Sequence, residues 1–241
     1  MNISDAFCSI LPAFAAVISS IILFLRIKEN NILAAKDFFW HYAFAFAIIA
    51  VTSIPTFIMN LGLEISYNNL LLVYITTVFM VFISYLLFFR GTALLFTKDK
   101  FLPTILPLIV LPVASAFSLV CLFLLKFSTI IIYTAVGWGF LFVNDNLLGS
   151  IFIYSFSTGS PIRNIKGKFS ALLLSLGWFS ILGLDIFLWI NAALYHPEFW
   201  ILRIISMKGW FVARAVVYFI ILIGVLLSAK HLKTPQVEEK K

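Results

Sequence analysis

Five residues stand out as chemically active in an otherwise apolar chain. Asp185 and Arg214 each interrupt a long apolar run, and Asn144-Asp145-Asn146 interrupts a third. A charge inside such a run is costly in a bilayer and persists where it has a partner or a wet cavity. An aspartate and an arginine at matching depth make an ion pair, since the guanidinium is always charged and bonds a carboxylate through two nitrogens. Three consecutive polar residues point around much of a helix, so one neighbour cannot receive them all. A wet cavity, a helix break or several partner helices must do so. Trp178 and Trp189 lie seven residues before and four after Asp185, on one helical face with it. Aromatic walls beside a charged pair suit a small organic ligand. Each feature also has a plain reading: the pair pins two helices, the amides bond helix to helix, and rings abound because 17% of the chain is aromatic.

Other chemistries lack their residues. The three histidines, His41, His196 and His231, are scattered, and no pair has metal-ligand spacing. There is no glycine-rich phosphate loop. A serine nucleophile would need a base within reach, and His41 at a helix start is the one intramembrane histidine. Cys8 and Cys121 form no motif; both fall near the outer face, where they pair or stay as buried thiols. These absences point to a non-enzymatic protein without cofactor or metal. No dense basic patch with interleaved aromatics offers a nucleic-acid surface.

The elements that must position these residues are membrane helices. Of 241 residues 63% are apolar and 11% charged, too little polar surface to clothe a soluble fold. Seven runs reach the length of about 20 residues that spans a bilayer as helix. They are Phe7–Ile27, Phe39–Met59, Asn69–Phe89, Phe101–Leu125, Thr129–Phe156, Phe169–Asn191 and Trp210–Ala229. Pro55 is expected to kink the second; Pro103, Pro107 and Pro112 make the fourth irregular. Asp5 precedes the first run and Arg26 and Lys28 follow it, the reverse of a cleavable signal peptide, so this run reads as a retained helix.

Orientation follows from the basic residues. Alternate connections carry thirteen lysines and arginines against three on the other side. The rule that basic loops stay cytoplasmic puts the N-terminus outside and the C-terminus inside. Asn2-Ile3-Ser4, an N-glycosylation triplet, then faces outward. The expected organisation is an all-α, polytopic bundle of seven transmembrane helices over 1–229, with a polar cytoplasmic tail over 230–241, integral to the cell membrane. The outer connection 192–209 reads as an interfacial helix. At 1.5 Å per residue Asp185, Arg214 and Asp145 lie roughly 24, 22 and 17 Å from the cytoplasmic ends of their helices. Asp185 and Arg214 are thus level in the outer half, with Asp145 lower.

The plan resembles that of seven-helix receptors, microbial rhodopsins and the membrane sensor regions ahead of some bacterial kinases. The residues that define those families differ. The middle of the last run reads Val216-Val217-Tyr218-Phe219-Ile220, without a retinal lysine, and the third ends Phe88-Phe89-Arg90-Gly91, without an acidic-Arg-aromatic triplet. Three functions remain open. One is a sensor with a small-molecule ligand near Asp185, Arg214, Trp178 and Trp189. The second is a small transporter using Asp145 and its asparagine neighbours. The third is a subunit whose polar residues organise assembly with other membrane proteins. Beyond the lipid bilayer, the partners are a small-molecule ligand in the first case and a membrane protein in the third.

Overall fold

A computed structural model describes residues 3–29, 33–60, 67–96, 109, 129–158, 165–195 and 208–229. All the elements among them are helical: α1 (Ile3–Glu29), α2 (Leu33–Thr52), α3 (Ile54–Asn60), α4 (Tyr67–Phe96), α5 (Thr129–Thr158), α6 (Ile165–Tyr195) and α7 (Lys208–Ala229). The expected fourth run 101–125, the outer connection, Cys121 and the tail 230–241 lie outside the described residues.

The helices overrun the apolar runs. α4 continues past Arg90 to Phe96, and α6 begins at Ile165, before Lys166 and Lys168. Hydropathy marks the part that suits hydrocarbon, whereas backbone hydrogen bonding continues the helix into polar surroundings. The expected kink at Pro55 is a break. α2 ends at Thr52, and α3 starts at Ile54 after Ser53, whose amide bonds the Ala50 carbonyl at 3.3 Å. Pro55 stands at the second position of the new helix, where its missing N–H costs nothing. The Asn-Asp-Asn triplet does not break α5, which is continuous through it.

Among the described residues the six long helices close into a ring. Each packs on two neighbours, in the order α1, α2, α4, α5, α6, α7 and back to α1. The centre is aromatic. Phe88 of α4 meets Tyr42 and Phe46 of α2 and Trp178 of α6 edge-on, with centroids 4.9, 5.1 and 5.0 Å away. Phe46 also meets Tyr218 of α7 at 5.7 Å. Such crossed-ring contacts are the favoured geometry for aromatic pairs.

The outside is apolar and the small hydroxyls are inside. Phe14 and Ile21 of α1, Phe79 of α4, Phe187 of α6 and Val216 of α7 are exposed, while Ser19, Ser84, Ser170, Ser175 and Ser228 are buried. This distribution suits lipid as solvent, with small residues at close helix contacts. Among the described residues, three helical stretches are long and apolar enough to cross a membrane: Phe7–Glu29, Gly167–Phe187 and Lys208–Ser228. They support a membrane location.

Side-chain hydrogen bonds tie the ring. Ser228 donates to Ser170 at 3.0 Å between α7 and α6, and Ser175 donates to the Gly149 carbonyl at 3.1 Å between α6 and α5. Between α2 and α4 the Tyr42 and Thr92 hydroxyls are 2.7 Å apart, and Thr92 also donates to the Phe88 carbonyl. Tyr42→Phe removes the first of these and leaves Thr92 its backbone partner. We expect a loss of about 0.6–1 kcal/mol, the usual worth of such a bond inside a membrane protein. Thermal unfolding of the purified variant in detergent measures it.

Candidate functional site

The site is assembled by α4, α5, α6 and α7. The α6–α7 contact comes first because it sets the level of the charged residues. Gly224 fits under Leu174, and Gly177 fits under Ile221: a Cβ on either glycine would lie 2.7 or 2.6 Å from the facing side chain. The two helices therefore run at close approach. At the far end of the same interface the Trp210 indole N–H donates to the Leu184 carbonyl at 3.2 Å.

Between these fixings Asp185 of α6 meets Arg214 of α7. Nη1 of Arg214 lies 3.1 Å from Oδ1 of Asp185. The aspartate side chain is fully enclosed and the arginine is 13% exposed. Arg214 also donates through Nε to the Tyr218 hydroxyl at 2.8 Å. Its guanidinium carbon sits 4.6 Å from the Trp210 ring centre and 5.9 Å from that of Tyr218. One face of the cation is thus covered by aromatic π-density, which stabilises a desolvated guanidinium.

α5 brings the second acid. Asn144 and Asp145 point inward and are buried, whereas Asn146 points out and accepts from the Ser150 hydroxyl at 3.2 Å. A helix turns its successive side chains by about 100°, so a triplet is divided between interior and surface. Asp145 has no exposed surface. It lies in the electrostatic field of Asp185 and Arg214, with the Tyr85 hydroxyl of α4 beside it. Neither Asp145 oxygen completes a regular hydrogen bond among the described residues, and neither does Oδ2 of Asp185.

Trp178 is fully buried under this cluster. Its ring lies 5.9 Å from Tyr85 and 5.0 Å from Phe88. It is part of the aromatic centre. The side chain of Trp189 lies outside the described residues. The structure therefore brings together Asp145, Asp185 and Arg214, packs Trp178 beneath them, and turns Asn146 away.

Sequence reasoning missed Tyr85, Trp210 and Tyr218. Trp210 and Tyr218 stand four residues before and after Arg214, a spacing that places them on its face of the helix. Tyr85 had no such signal, because its neighbour Asp145 is on another helix. Among the described residues no group of three or more histidine, cysteine or acidic side chains has the geometry of a metal site.

Chemically, the site among the described residues is two buried carboxyl groups and one largely buried permanent cation. Arg214 is engaged by Asp185 and Tyr218. Comparison with protein-family models, with curated proteins and with solved structures gives no match.

Proposed function

We propose that this chain is a small cation-handling permease of the cell membrane, with Asp145 as the group that binds the transported or coupling cation. In this reading the bundle has seven spans, the N-terminus outside and the C-terminus in the cytoplasm, as the thirteen-to-three distribution of basic residues supports. One observation carries the reading: Asp145 is fully enclosed with both oxygens lacking hydrogen-bond partners among the described residues, next to an arginine already paired with another acid. Intramembrane carboxylates in that condition mark ion and proton pathways. A helix pin would instead have its charges matched, as Asp185 and Arg214 are.

The experiment is flux from reconstituted vesicles preloaded with protons, sodium or potassium. Wild-type protein is expected to collapse at least one of these gradients faster than protein-free vesicles. Asp145→Asn, close in shape and without the charge, is expected to return the rate to the protein-free level while its melting profile stays that of the wild type. A wild-type rate no faster than empty vesicles for all three ions sinks the reading.

A second reading, a sensor, is favoured by Arg214. Its partial exposure and its stacking on Trp210, near the start of α7, leave it open to a ligand arriving from the outer side. In that case Arg214→Lys, which keeps the charge and loses the planar stacking, would change a downstream output without changing ion flux.

A further inference from the structure

We propose that the cation bound at Asp145 is a proton, carried on the carboxyl itself, so that the resting site holds a neutral Asp145 beside the ionised Asp185–Arg214 pair. This deepens the permease reading and rests on it for its role, although the protonation can be observed separately.

Two acids and one guanidinium leave one negative charge in excess if both acids ionise. An enclosed carboxylate without a cation of its own is among the costliest groups to bury, and a bilayer interior offers no relief. The groups facing Asp145 can be named from each helix around it. α6 presents Asp185 and α7 presents Arg214 and Tyr218, while α4 presents Tyr85. On its own helix, Asn144 lies next to it. Among the described residues only Arg214 is cationic there, and it is held by Oδ1 of Asp185 at 3.1 Å and the Tyr218 hydroxyl at 2.8 Å. Tyr85 has a single hydroxyl proton to offer, and its ring is fixed edge-on to Phe88 and Trp178.

Size decides between a proton and a metal ion. Hard metal cations need about six oxygen ligands. Among the described residues the surroundings of Asp145 supply its own carboxylate, one tyrosine hydroxyl and Oδ2 of Asp185, with the Asn144 amide next to it in the chain, fewer oxygens than such a shell needs. A proton needs no ligand shell and no added volume. The step is simple: a hydronium ion transfers a proton to one Asp145 oxygen, its own O–H bond breaking as the new O–H bond forms, and a water molecule is left. The reverse step breaks the Asp145 O–H bond and returns the proton to water as hydronium.

Infrared spectroscopy of the purified full chain in lipid, with and without isotopic labelling of the aspartate carboxyls, tests this directly. At neutral pH the wild type should show the carbonyl band of a protonated aspartic acid, moved by the label, unchanged by added sodium and lost in Asp145→Asn. Asp145→Glu, the safeguard should the asparagine variant fail to fold, should replace the labelled aspartate band with one that the label no longer moves. The proposal is overturned if the wild type lacks the band, if the band survives in Asp145→Asn, if Asp145→Glu leaves the label-sensitive band in place, or if sodium removes the band at constant pH, which would mark a metal-ion site. The band without ion flux would refute the permease and keep the proton site. Flux without the band would do the opposite.

Discussion

Arg214→Gln is expected to destabilise the bundle by about 3–5 kcal/mol, the cost of removing one member of an enclosed ion pair. The size comes from what remains. Asp185 keeps its burial and loses the only cation within hydrogen-bond distance among the described residues, and its second oxygen already lacks a partner. Tyr218 loses the donor that holds its hydroxyl, and the stack on Trp210 loses its cation. The expected result is a sharp fall in melting temperature in detergent or no folded protein at all. Adding Asp185→Asn to Arg214→Gln removes the stranded charge and should recover a good part of the loss. If the double variant is as unstable as the single one, the destabilisation has another source, such as lost packing on Trp210.

The second large effect concerns Gly224. Gly224→Ala places a methyl carbon 2.7 Å from Cγ of Leu174 and 3.3 Å from that residue's backbone nitrogen. A change of the Leu174 rotamer moves Cγ but not the backbone nitrogen, so α6 and α7 must part to make room. Overpacking of this kind costs about 1–3 kcal/mol, and Gly224→Leu should exceed it. Asp185 and Arg214 stand on the same two helices, so a wider interface also lengthens their ion pair. Gly183 is the internal control. It is on α6 near Asp185, and a Cβ there meets nothing within 4 Å. Gly183→Ala should melt at or slightly above the wild-type temperature. Equal losses at Gly224 and Gly183 would mean that close approach of α6 and α7 is not what the glycine provides.

How far the sequence discloses this protein depends on the range of each interaction. Membrane helices are local objects whose backbone bonds close within the segment, so apolar runs such as 169–191 and 210–229 mark α6 and α7 directly. Their ends are less legible, because residues such as Lys166 sit in polar surroundings that hydropathy does not distinguish from loop. The break at Ser53 was visible as Pro55, but its form depends on the local carbonyls. Within the site, Asp185 and Arg214 are conspicuous because charges are rare in such runs. Their neighbours on α7 follow from the four-residue spacing. Tyr85 and Asp145 are sixty residues apart in the chain and meet through the order of helices around the ring, which periodicity does not encode. The division of the triplet, with Asn144 and Asp145 inward and Asn146 outward, likewise depends on the rotation of α5 against α4 and α6.

Everything proposed for this protein rests on Asp145, Asp185 and Arg214 lying together inside the bilayer, with Asp145 lacking a cation of its own among the described residues. The most direct measurement is a cryo-electron microscopy map of the full chain in lipid nanodiscs. The account predicts Arg214 on Asp185, Asp145 without a lysine or arginine contact, and all three within the lipid belt. A cation from this chain bonded to Asp145, or a cluster lying outside the belt, would contradict it.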